Sequence, residues 1–113
     1  MAQVIRLADR RNRGSPVYFN RVELNALLAV YSRNVAKGEW RDYGIAHDVG
    51  MARFSVHRHS HESPQFTLVK MAPKGPNAKP EYVLFAGEAR LRRGTSLLDV
   101  LSVFDKPLRL IST

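Results

Sequence analysis

The stretch Phe19–Gly38, FNRVELNALLAVYSRNVAKG, decides the first element of the fold. Asn20 is a good N-cap, because its side-chain oxygen can accept from an N–H that the first helical turn leaves unpaired. Glu23 follows three residues later as the partner of a capping box, and Phe19 and Leu24 hold the positions of a hydrophobic staple. Leu24, Leu27, Leu28, Tyr31 and Val35 recur at the spacing of one helical face. Lys37 stands in the last turn and Gly38 is a natural stop. The pattern predicts a helix over 20–37 whose apolar stripe needs a surface to pack on.

The chain that follows supplies that surface. Trp40–Ala46, Met51–Ser60, Gln65–Ala72 and Tyr82–Leu91 are short runs rich in aromatic and β-branched residues. Asp48-Val49-Gly50, Glu62-Ser63-Pro64 and the polar stretch Pro73–Pro80, PKGPNAKP, separate them with turn chemistry. Four strands joined in this way predict an antiparallel meander. Past Gly94, Thr95 or Ser96 can cap a short helix with Leu97, Leu98, Leu101 and Phe104 as its apolar members, ended by Lys106-Pro107. Leu108–Ile111 is read as a last short strand. The expected architecture is α+β: a long N-terminal helix packed on an antiparallel sheet of about four strands, with a short C-terminal helix. Residues 16–113 are expected to form one domain, preceded by a flexible basic arm over 1–15.

The chain has 113 residues and no cysteine. That length buries enough surface for a core without staples, and lack of cysteine excludes disulfides, thiolate zinc sites, iron–sulfur clusters and a cysteine nucleophile. The apolar stretch Ala2–Ala8 is broken by Gln3 and Arg6 and lacks a signal core. No segment approaches the ~18 apolar residues that span a bilayer. A cytoplasmic protein without membrane contact is expected. The net charge is +8, carried by 18 Lys and Arg of which thirteen are Arg. Arginine suits planar, bidentate recognition of phosphate and carboxylate, so a polyanionic partner is expected, although a basic surface also serves solubility.

Two basic clusters stand out. Arg6, Arg10, Arg11 and Arg13 are opposed only by Asp9 and could drape along a phosphate backbone, or Val4, Ile5 and Leu7 could add an edge strand. Arg90, Arg92 and Arg93 precede Gly94-Thr95-Ser96, where an anion could meet a helix N-terminus, or the cations could simply blunt a sheet edge. A first hairpin turning at Val49 sets His47 opposite Met51, and a second at Ser63-Pro64 sets His61 opposite Phe66. One face then collects Ala46, Ala52, Phe54, Val56, Val69 and Met71 beneath the long helix. The other collects Tyr43, Ile45, Arg53, His57, His59, His61, Phe66, Leu68 and Lys70. On that second face Tyr43 and Phe66 could stack bases while Arg53, Arg58 and Lys70 track phosphates. Alternatively, the short C-terminal helix covers Tyr43, Ile45, Phe66 and Leu68.

His57, His59 and His61 alternate along one strand, and neighbours two residues apart, roughly 6–7 Å, can share a metal such as zinc. All three do not converge on a straight strand, because its ends stand about 13 Å apart. The row can instead gain charge below pH about 6.5. No Gly-x-Ser-x-Gly elbow, phosphate loop, dinucleotide fingerprint or paired carboxylate occurs, so no catalytic motif is present.

The runs Val17–Leu24 (VYFNRVEL), Gly38–Tyr43 (GEWRDY) and Gly94–Leu101 (GTSLLDVL) resemble a family of small alphaproteobacterial proteins catalogued only as a domain of unknown function. The resemblance covers about Ser15 to Ile111. It implies a bacterial cytoplasmic protein and brings no catalytic residue, cofactor or partner. The expected function is a non-catalytic basic module that contacts nucleic acid or a nucleic-acid-associated complex. The alternatives are a metal or small-ligand site at 57–61 and an assembly subunit that binds an acidic protein surface.

Overall fold

The computed structural model describes residues 16–59 and 63–105. Helix α1, Arg21–Ala36, begins as its cap predicts: Glu23 N–H donates to Asn20 Oδ1 at 2.8 Å and Asn20 N–H donates to Glu23 Oε1 at 2.7 Å. Five strands follow, β1 Asp42–Asp48, β2 Met51–His57, β3 Phe66–Met71, β4 Glu81–Ala86 and β5 Ala89–Gly94. They form one antiparallel meander in the order β1-β2-β3-β4-β5. Helix α2, Leu97–Leu101, is capped by Ser96 and runs into a 3-10 turn over Ser102–Asp105. The architecture is α+β with both helices on one side of the sheet.

The strand count is five rather than about four, because the run Tyr82–Leu91 folds back on itself. Gly87 has φ 59° and Ala86 pairs with Ala89, so Gly87-Glu88 is a two-residue hairpin turn with glycine in its first position. A register shift after Leu84 sets Arg92 opposite Leu84 and Arg90 opposite Phe85, which leaves Leu91 as the extra residue of a bulge.

The pairing also corrects the expected faces. Val49-Gly50 forms a two-residue turn with Gly50 at φ 83°, so Met51 opposes Asp48 and not His47. Strand β2 stops at His57, and Phe66 opposes Val56. Relative to β2, strand β1 is displaced by one residue from the expected register and β3 by five, both odd shifts, so the side chains of both strands exchange faces. The inward face carries three rows: Tyr43, Val56, Phe66, Ala86 and Ala89; Ile45, Phe54, Leu68, Leu84 and Arg92; His47, Ala52, Lys70, Tyr82 and Gly94. The outward face carries Gly44, Ser55, Thr67, Phe85 and Arg90; Ala46, Arg53, Val69, Val83 and Arg93; Asp48, Met51, Met71 and Glu81.

Between helices and sheet lies one apolar core, in which Leu27, Val56, Leu68, Leu84 and Val100 are fully buried. Trp40, Phe66 and Phe104 close one end, with Phe104 edge-on to both other rings at centroid distances of 5.1 and 4.9 Å. The space enclosed by Leu27, Phe54, Leu68, Leu84, Leu101 and their neighbours amounts to about 10 Å³, at the lower limit for a single water. The core is packed, not hollow.

One charged residue is buried with it. Glu23, 5% exposed, sits in line with Leu27 and Val30 on the buried side of α1. Its Oε1 accepts from Lys70 Nζ at 2.8 Å and its Oε2 accepts from the Tyr82 hydroxyl. Lys70 Nζ also donates to the Tyr18 carbonyl at 2.8 Å. Burial raises the Glu23 pKa, but hydrogen bonds from Lys70, Tyr82 and the Asn20 N–H, together with the Lys70 charge, outweigh it and hold the carboxyl below its ordinary value. Burial and the adjacent carboxylate push the Tyr82 hydroxyl well above its own.

The expected arm over 1–15 and the strand over 108–111 fall outside the described residues. Truncating Glu23 leaves the Lys70 ammonium without its carboxylate, held only by the Tyr18 carbonyl, leaves the Tyr82 hydroxyl buried without a partner and removes the capping box, so Glu23→Ala should cost about 3 kcal/mol in a denaturant titration at neutral pH. A carboxyl whose folded pKa is depressed stabilises the fold above its unfolded pKa and loses that contribution as pH falls through the folded value. The wild-type protein should therefore lose stability on acidification below its ordinary range near 4.5, and Glu23→Ala should show a shallower loss.

Candidate functional site

The expected binding residues divide by the face on which the register sets them. Lys70, on the inward face, is spent on Glu23 and the Tyr18 carbonyl beneath α1. Arg92, also inward, reaches the second helix: its Nη1 donates to the Asp99 carbonyl at 3.1 Å and to Ser102 Oγ at 2.9 Å. Arg53 and Arg93 point outward and meet carboxylates on the same face, Arg53 with Asp48 at 2.8 Å and Arg93 with Glu81 at 2.6 Å. Both pairs are solvent-accessible, so each contributes little to stability. Arg58 and Arg90 are exposed and form no ion pair among the described residues.

The aromatic pair separates too. Phe66 is half-buried, packed against Trp40 and Phe104. Tyr43, on edge strand β1, is 44% exposed, with its ring edge-on to Tyr31 at 4.8 Å and stacked on Phe54 at 5.4 Å. Covering Phe66 is thus the work of the segment after α2, while Tyr43 stays open at the sheet edge.

Only part of the expected histidine row lies among the described residues. His57 ends β2 on the outward face, His59 lies beyond the strand, and His61 falls outside the described residues. Among the described residues no three His, Asp or Glu side chains come together to hold a metal. His47 is on the inward face, its ring 4.6 Å from that of Tyr18.

What the fold does gather is at one end of the sheet. Arg41 leads into β1 and its N–H donates to the His57 carbonyl at 2.8 Å. Arg58 follows β2 from the same point, and Arg90 opens β5 two residues past the Gly87-Glu88 turn. All three are exposed and none has an ion pair among the described residues. An open depression beside the β2–β3 connection is lined by Arg58, His59, Ser63 and Gln65. Guanidinium, imidazole, hydroxyl and amide can each donate a hydrogen bond. Gln65 Oε1 is buried and accepts none. Glu39, Asp42 and Glu88 stand at the same end, so the charge there is mixed.

Two participants leave little or no signal in the sequence. Arg41 escapes because it adjoins β1 only in sequence and Arg58 only in space. Glu23 leaves a trace: a carboxylate at the i position of the buried series Glu23, Leu27, Val30 needs a cation, and Lys70 interrupts the inward series Phe66, Leu68, Lys70.

A family model described as "Protein of unknown function (DUF2794)" matches residues 17–101. No curated protein and no solved structure matches the chain. No helix of the described residues is long and apolar enough to cross a membrane. The two arginines of the 90–93 cluster that differ most in environment should differ in effect. Arg92→Ala should lose about 1–2 kcal/mol and speed amide exchange in α2, because it removes hydrogen bonds to Asp99 and Ser102. Arg90→Ala should stay within about 0.5 kcal/mol of wild type.

Proposed function

We propose, from the premise that this chain belongs to the DUF2794 family, that it is a non-catalytic basic module that binds nucleic acid. The observation that carries the reading is the end of the sheet where Arg41, Arg58 and Arg90 stand exposed without ion pairs among the described residues, beside a depression rimmed by hydrogen-bond donors. Phosphate oxygens accept from such groups, and arginine offers them a planar fork. The net charge of +8 favours approach of any polyanion, and the acidic residues at that end temper the affinity.

The arm contributes through its position. Pro16 pairs with Val49 at the opposite end of the sheet, so the arginines at 6, 10, 11 and 13 precede a root about 20 Å from Arg58. A strand of nucleic acid that lies along the sheet from Arg58 toward Pro16 would have Tyr43 at the edge as an exposed ring for stacking. In this reading the protein works in the cytoplasm. Arg53, Lys70, Arg92 and Arg93 are structural or locally neutralised and are not assigned phosphate contacts.

Fluorescence anisotropy with labelled single-stranded RNA and DNA across a salt series tests the proposal. Binding should weaken steeply with salt, and the double variant Arg58→Ala/Arg90→Ala should reduce the log–log slope by about 1.4, at roughly 0.7 for each phosphate no longer neutralised. An unchanged slope in that variant, or wild-type affinity that ignores salt, would overturn it.

A further inference from the structure

The outward face of the sheet has no covering layer among the described residues, yet it is not built as a plain solvent face. Val69 and Val83 oppose each other at its centre and are 8% and 6% exposed, apart from the main core. Ala46, Met51, Met71 and Phe85 lie around them. Charge on this face is balanced: Arg53, Arg90 and Arg93 stand against Asp42, Asp48 and Glu81. In a chain of net charge +8, a balanced face is where a second copy meets least repulsion.

We infer that this face pairs with the same face of a second copy, as two sheets packed about a two-fold axis along the central strand β3. That axis lays β1 of one copy over β5 of the other and β2 over β4, with Val69 on the axis. Arg93 then lies over Ala46 of the second copy, one row from its Asp48. Arg53 lies over Val83 of the second copy, one row from its Glu81. A row is about 7 Å along a strand, within reach of an arginine side chain across sheets stacked about 10 Å apart. Each of the two surface ion pairs thereby gains a counterpart across the interface, and no cation of the central row is set against another. Five strands of about six residues offer roughly 500 Å² of flat area per copy, so the pair buries about 1,000 Å², enough for a specific but modest dimer. Of the three arginines assigned to nucleic acid, Arg41 and Arg58 stay clear of the contact, whereas Arg90 lies over Gly44 of the second copy and is shared by the two readings.

Sedimentation equilibrium of the full, nuclease-treated chain decides it, with circular dichroism confirming that each variant is folded. The wild type should show a two-chain mass at high concentration. Arg53→Glu and Glu81→Arg, both at accessible positions, should each weaken association by about tenfold or more, because each sets like charges across the interface twice. An equimolar mixture of the two variants should recover the wild-type mass, since opposite charges then face each other at both contacts. A wild type that stays monomeric, single variants that dimerise as well as wild type, or a mixture that fails to recover would each overturn the inference.

Discussion

The carboxylate of Glu23 is the constraint from which the arrangement follows. It closes the capping box that starts α1, and in the same position it accepts from Lys70 on β3 and Tyr82 on β4. An ionised carboxylate removed from water is costly unless every strong partner is present. Lys70 and Tyr82 share one row and one face, so only one face of the sheet can receive the helix without stranding a charge. Hydrophobic burial of Leu27, Leu68 and Leu84 supplies the bulk of the attraction, but apolar contact is non-directional. The polar contact fixes which side is covered and where along β3 and β4 the helix begins.

Once that side is covered, no described element lies over the other, and the cations sort themselves accordingly. Inward ones become fasteners: Lys70 holds α1, and Arg92 holds α2 through Asp99 and Ser102. Outward ones in the central row meet Asp48 and Glu81. Those at the sheet end, Arg41, Arg58 and Arg90, have no carboxylate to satisfy them among the described residues. The positive charge of this chain is therefore not one surface with one purpose. The two proposals share Arg90 and otherwise use different parts of it, the sheet end for phosphate and the balanced face for a second copy.

Local chemistry is legible in the sequence wherever its partners are close in the chain. The cap, the helix length and the short α2 follow from Asn20, Glu23, Gly38 and Ser96, each of which acts within a few residues. The Gly87-Glu88 turn is harder to see, because Ala86 and Ala89 flank it and the residues from Tyr82 to Leu91 read as one continuous run. Register is less legible still, since shifting the apex from Val49 to the Val49-Gly50 pair alters the chain by a single residue and exchanges a whole face. The site suffers most from this. Arg53 and Arg58 look alike in sequence, as do Arg90 and Arg93, and what separates them is a carboxylate that the register brings alongside, as with Glu81 twelve residues from Arg93.

The face that α1 covers is the claim on which the rest stands, and methyl-resolved nuclear Overhauser spectroscopy reads it without altering the protein. Methyl protons of Leu27 should show cross-peaks to Leu68 and Leu84, with the Tyr82 ring close to the Glu23 side chain. Cross-peaks from Leu27 to Val69 or Val83 would place the helix on the opposite side of the sheet and contradict the account.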